Sequence, residues 1–184
     1  MTLAISPRYT LAKLEGERLE DMIDVFEDQM RGWLIEPANA LRYYQHAGFG
    51  ILAIVLSYFE PIGQFLEGKA DVSKRQFVVG LKAVFPGIDP TIPDTLFHEL
   101  YDQVRCGIFH QGITKRKVMI RPQGPHPIEV IYGAGHVVTQ VEIVPINLID
   151  SINNHLVRYV ADLRNPENQD LRSNFRNWFV ARGG

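Results

Sequence analysis

The residues of this chain best suited to chemistry fall in one stretch, Tyr101-Asp102-Gln103-Val104-Arg105-Cys106-Gly107-Ile108-Phe109-His110-Gln111-Gly112. Arg105 and His110 stand in it with four residues between them. An imidazole titrates near neutral pH and can give or take a proton there. A guanidinium is a planar, permanently charged fork shaped for a phosphate. Five residues of ideal α-helix turn a side chain by about 140°. The two side chains therefore converge only where the helix ends or distorts between them, which Gly107 permits. The competing reading is structural: Arg105 pairs with Asp102, three residues earlier, and His110 caps or packs at the helix end. Arg105, Lys115, Arg116, Lys117 and Arg121 then follow one another with no acidic residue from 105 to 121. Such a run can hold a polyanion backbone near His110, or it is a solvated turn.

Other candidates are weaker. Cys106 and His110 are spaced i, i+4, which on a continuous helix allows a thiolate–imidazolium pair and a Cys106-dependent hydrolase. A lone helical cysteine is more often a small buried hydrophobe. His98-Glu99 opens like a zinc-protease motif, but Asp102 stands where the second histidine is needed. His126 and His136 have no recognised ligand spacing, so neither a metal nor a cofactor is expected. Arg42, Tyr43, Tyr44, Gln45 and His46 form a polar-aromatic patch that either lines the cleft of Arg105 or is a helix end with tyrosine hydroxyls reaching water. Gly133-Ala134-Gly135 lies between strand patterns and reads as a turn, and the sequence holds no phosphate-cradling glycine loop.

The elements that must position these residues are mostly helical. Leu19, Met22, Ile23, Phe26, Met30, Trp33 and Leu34 recur at steps of three and four and predict an amphipathic helix over 17–34. Its other face carries Glu17, Glu20, Asp21, Asp24, Glu27 and Asp28, a stripe open to a basic partner or simply solvated. Leu41, Tyr44, Gly48, Ile51, Leu52, Val55, Tyr58, Phe59 and Ile62 continue the period into a long central helix, with Gly48 and Gly50 as candidate points of close helix contact. Ser73 and Gln76 form a capping-box pattern before a short helix that Pro86 stops. Leu96, Phe97, Leu100, Tyr101, Val104 and Ile108 mark a fourth helix, which carries Arg105. Strands are expected at Lys117–Arg121, Ile128–Tyr132 and His136–Val144, the last two as a hairpin. Pro145 opens a further helix that Asn165-Pro166 ends, and Leu171, Phe175, Trp178 and Phe179 mark a last one. The fold expected is one domain over 1–184, a bundle of about five to six helices with a small antiparallel hairpin or three-stranded insertion near 117–144.

The R-x4-H spacing of Arg105 and His110, closing a helix after a long apolar one, resembles the motif of the HEPN superfamily. The resemblance covers about residues 17–112 plus the C-terminal helices, and leaves the β insertion unmatched. It implies a metal-independent ribonuclease of the kind found in toxin–antitoxin, antiviral or RNA-processing systems. It also implies a homodimer whose subunits meet at the active site, and a protein antitoxin or regulatory partner. By the same resemblance His110 is the general acid/base and Arg105 the phosphate-binding, charge-stabilising residue. Lys115, Arg116 and Lys117 are then substrate-backbone contacts. The residue after the arginine, commonly polar in active members, is Cys106 here. A reading from a different class is a non-catalytic helical module for dimerisation or partner binding, suggested by the acidic first helix and the extra hairpin.

Composition bounds these readings. Of 184 residues, 46% are hydrophobic and 22% charged, as in ordinary globular domains rather than disordered chains. The 19 Lys and Arg against 21 Asp and Glu give a net charge of −2, so any affinity for nucleic acid rests on a local patch. One cysteine excludes an internal disulfide and, with no export signal read in Met1–Leu14, points to the cytoplasm. The most apolar run, Ala47 to Phe59, is 13 residues, against about 20 for a membrane span. It reads as a buried core helix, and no membrane partner is expected.

Overall fold

The computed structural model describes residues 3–69, 74–87, 97–98, 100–102 and 118–183. Within them the chain is a mainly helical bundle with a small β-sheet, as the periodicities predict. The first rod is α1 (Leu19–Gln29), a π-helical segment (Met30–Ile35) and α2 (Glu36–Leu41) in direct succession. It buries Met22, Ile23, Phe26, Leu34 and Ile35. Trp33 belongs to the apolar stripe by 3.6-residue spacing, yet it is 54% exposed. The wider π turn sets back the helical phase, and Leu34 and Ile35 are the residues buried there.

The second rod starts later than the sequence period suggests. Residues 42–47 form turns, His46 has φ +67°, and Tyr44 is 68% exposed rather than on the core stripe. The rod proper is α3 (Gly48–Val55), a 3-10 turn (Leu56–Tyr58) and α4 (Phe59–Glu67). Over Gly48–Glu67 it is long and apolar enough, by length and composition alone, to cross a membrane, but 56% of that window is buried within the protein. Ile51, Leu52, Val55, Tyr58, Phe59, Ile62 and Phe65 point into the core. Gly68, at φ +64°, ends it with the left-handed cap typical of glycine.

The close helix contact is not at Gly48 or Gly50. A Cβ at Gly50 would meet Leu41 Cδ1 at an ordinary 3.6 Å, and one at Gly48 would meet a strand residue, Ile120. The helices that touch backbone to backbone are α4 and α5 (Lys74–Val84), through Gly63 and Gly80. A Cβ on Gly63 would overlap the Gln76 carbonyl, 2.9 Å from Gln76 Cα. One on Gly80 would overlap the Phe59 carbonyl, 3.0 Å from Gly63 N. Gln76 sends its amide across to Glu67 Oε2 at 2.9 Å. Its capping-box partner Ser73 lies outside the described residues. Of the fourth helix, positions 97, 98 and 100–102 are described and helical, with Phe97, Leu100 and Tyr101 buried.

The sheet comprises β1 (Val118–Ile120), β2 (Ile128–Tyr132) and β3 (Val138–Ile143) in the order β1-β3-β2. β2 and β3 form the expected antiparallel hairpin, but β1 pairs parallel to β3, so the sheet is mixed. The longest strand, β3, takes the centre, where both edges of its backbone are bonded. The proline-bearing loop 121–127 arches over it, tied by Arg121 N to Ile143 O (2.8 Å) and Val144 N to Pro127 O (2.9 Å). Val118, Val141 and Ile143 join the helical core. One residue later α6 (Pro145–Arg164) begins, with proline in its first turn. α7 (Gln169–Gly183) closes the bundle: Phe175 stacks on Phe65 with centroids 5.1 Å apart and also meets Phe26 at 5.4 Å.

Candidate functional site

The residues on which the sequence concentrates chemistry, Arg105, Cys106, His110, Lys115, Arg116 and Lys117, lie outside the described residues, as does Glu99. Their flanks are described. Tyr101 is buried and meets Phe77 edge-on at 5.2 Å. Val118 is buried and paired with Val141. Asp102, the carboxylate a helical Arg105 would share, is bonded at 2.5 Å to Lys74 of α5. The acidic stripe of α1 is already occupied by the chain's own cations. Lys13 binds Asp21 and Asp24 (2.8 and 3.0 Å), Arg164 binds Asp24 and Glu27 (3.1 and 2.9 Å), and Arg172 reaches Glu20 (3.0 Å). Asp28 is buried and accepts from Ser6 Oγ (2.6 Å), Arg8 N (2.8 Å) and Arg8 Nε (2.5 Å).

The polar-aromatic patch divides. Arg42 turns inward, donating to the Ile146 carbonyl at 3.2 Å and pairing with Asp150. Tyr43 and Tyr44 project into solvent, at 91% and 68% exposure, which matches the helix-end alternative. Among the described residues no group of three or more His, Cys, Asp or Glu is placed to hold a metal ion.

A site that sequence reasoning missed is a cavity of about 710 Å³ between the end of α5, strand β2 and α6. Leu81, Val84, Phe97, Leu100, Ile128 and Val130 supply apolar wall. Ser151, Asn154 and Arg158 supply polar groups from α6, spaced i, i+3, i+7 and so aligned along one face. His126 and Glu129 add polar groups from the sheet side. Arg158 is exposed and makes no hydrogen bond or ion pair among the described residues. The helical spacing of the three polar residues is visible in the sequence. The apolar wall facing them comes from elements distant in the chain and is not.

Behind that face α6 carries a buried aromatic group. His155 Nδ1 is 2.8 Å from Tyr58 Oη, and the His155 ring lies nearly parallel to Tyr159, centroids 5.8 Å apart. Burial, aided by the positive charge of Arg158, pushes the His155 imidazolium down to about 4, so the ring is neutral at pH 7. Burial pushes both phenols upward and keeps them protonated. Tyr159 Oη is buried with no hydrogen-bond partner among the described residues. The group is therefore an uncharged core network, with no base near its working pH.

Comparison of the chain with protein-family models, with curated proteins and with solved structures gives no significant match.

Proposed function

We propose that the protein binds single-stranded RNA through positions 105–117 and cleaves it without a metal. His110 acts as general acid/base and Arg105 as the cation at the scissile phosphate. The observation that carries this reading is the Arg105-x4-His110 spacing followed by the acid-free run Lys115-Arg116-Lys117. The mainly helical bundle is consistent with the HEPN resemblance. The 2.5 Å bond of Asp102 to Lys74 supports it further, because a carboxylate already paired competes less for Arg105. In the reaction the substrate's own 2′-oxygen attacks phosphorus and the P–O5′ bond breaks, leaving a 2′,3′-cyclic phosphate and a free 5′-hydroxyl. His110 takes the 2′-proton, and a proton is returned to the leaving oxygen. Two subunits complete the site, as the resemblance implies.

The test is a 5′-labelled single-stranded RNA incubated in EDTA with the parent protein, His110→Ala and Arg105→Ala, each checked for folding by circular dichroism. Loss of the general acid/base is expected to slow cleavage by about 10²–10⁴-fold. Charge reversal at Lys115, Arg116 and Lys117 together is expected to lower the salt dependence of RNA binding by about 2 in log–log slope, near 0.7 per phosphate contact. Equal cleavage by His110→Ala and the parent rejects the assignment. The partner-module alternative loses one of its two motives, since the acids of α1 are bound to the protein's own arginines and lysine.

A further inference from the structure

We propose that the cavity between α5, β2 and α6 binds a small amphipathic monoanion, an apolar aromatic-sized body whose single carboxylate or sulfonate head is held by Arg158. The proposal does not depend on the RNA reading. A volume of about 710 Å³ is that of a pocket for a compact organic molecule, within the usual 300–1,000 Å³. Leu81, Val84 and Phe97 offer such a body a surface from which water is readily displaced. The polar groups are not scattered over the wall. Ser151, Asn154 and Arg158 sit on successive turns of one helix face, so that a ligand lying along α6 meets them in line. Ser151 Oγ donates its hydrogen to the Asn147 carbonyl at 2.9 Å, which leaves its oxygen as an acceptor. Asn154 is exposed and offers both a donor and an acceptor.

Arg158 decides the sign of the charge. It is a permanent cation in the cavity lining with no hydrogen bond or ion pair among the described residues, whereas Arg164, six positions on, is held by Asp24 and Glu27. Arg158 is exposed, so a ligand can reach it from solvent, and it stands beside the apolar lining of the cavity. An anionic head beside it gains a charge-assisted, two-pronged hydrogen bond. Glu129, on the sheet side of the same cavity, sets the limit: a head with two negative charges is repelled by it, and a single charge is favoured.

The probe is 1-anilinonaphthalene-8-sulfonate, which has an aromatic body and one sulfonate. Its partner is N-phenyl-1-naphthylamine, the same body without the sulfonate. Both are titrated by fluorescence into the full chain at pH 7 and 0.15 M salt. The sulfonate is expected to bind saturably at one site per chain and to be weakened at least tenfold by Arg158→Glu. Arg176→Glu, an equal charge change at an exposed residue of α7, should leave it within twofold. The uncharged probe should change less than twofold in Arg158→Glu. Asn154→Trp, made at an exposed lining position so that folding is retained, should weaken both probes at least tenfold by filling the mouth. Equal effects of Arg158→Glu and Arg176→Glu on the sulfonate overturn the proposal. So does undiminished binding of both probes by Asn154→Trp. Neither readout involves RNA, so failure here leaves the His110 test intact, and the reverse holds.

Discussion

Replacing Gly80 by alanine tests the packing of α4 on α5 directly. A methyl there overlaps the Phe59 carbonyl and stands 3.0 Å from Gly63 N. Both are backbone atoms of a packed helix and cannot rotate away, so the helices must part by something near an ångström. A gap of that size forfeits a quarter to a half of the dispersion contact across it. The contacts at stake belong to Phe77 and Leu81 on α5 and Phe59 on α4, all about 1% exposed, with the Phe59 and Phe77 rings 5.4 Å apart. Full burial of each side chain is worth about 1.5–3 kcal/mol, so losing a quarter to a half of three gives about 1–4 kcal/mol. Alanine returns up to about 1 kcal/mol of helix propensity. The net expectation is a loss of about 1–3 kcal/mol. Gly50→Ala is the control, because its new methyl meets Leu41 Cδ1 at 3.6 Å. It should gain about 0.5–1 kcal/mol from propensity alone. Urea unfolding followed at 222 nm measures both. Parent-like stability of Gly80→Ala, or equal losses from the two variants, refutes the backbone-contact argument.

Three further outcomes follow from polar side chains that the fold pairs or buries. Burial raises the Asp28 carboxyl, but the hydrogen bonds from Ser6 and Arg8, with the Arg8 charge, outweigh it and hold the group below its usual value. Its contribution is thus present at neutral pH and lost as pH falls through the folded value. Asp28→Asn should cost about 1–3 kcal/mol in urea unfolding at pH 7, with the difference from the parent shrinking below about pH 4. For His155 the folded value of about 4 lies below the unfolded 6.5. The unfolded chain therefore takes up the proton first, and stability falls as pH drops from about 6.5 to 4, by roughly 3 kcal/mol from this group. His155→Gln should flatten that fall in unfolding midpoints taken from pH 7 to 4, and an unchanged slope would contradict the assignment. Arg164→Ala removes contacts to Asp24 and Glu27 from a half-exposed guanidinium, so a loss within about 1 kcal/mol is expected. A loss of several kcal/mol would show the α1–α6 junction to depend on this residue.

The helices were legible because their periodicity reports which face is buried, and burial organises this bundle. Pro145 and Asn165-Pro166 bracket α6 (Pro145–Arg164) as the backbone chemistry of proline requires. Two failures have a common cause. Trp33 and Tyr44 each continue a 3.6-residue period, yet both face solvent. A π turn shifts the phase under one, and the turns over residues 42–47, with His46 at positive φ, take the other out of the helix. Neither irregularity has a side-chain signature strong enough to override the count. The parallel pairing of β1 with β3 was equally hidden, because strand alternation specifies faces and not which neighbour a strand takes.

The glycines and the charged stripe show how partners decide meaning. Gly48 and Gly50 interrupt an apolar run, but the close approach of one helix backbone to another that demands glycine occurs at Gly63 and Gly80. Likewise the acids of α1 look like a docking face until Lys13, Arg164 and Arg172, the last two from the far end of the chain, are seen bound to them. Arg158 is the converse case. In sequence it is one more arginine on a helix that also carries Arg164. In the fold the first lines a cavity with no carboxylate bonded to it among the described residues, and the second is bonded to two of them. A charge left without a partner beside apolar walls is a preference for a ligand, and that preference arises from the meeting of α5, β2 and α6 rather than from any local motif.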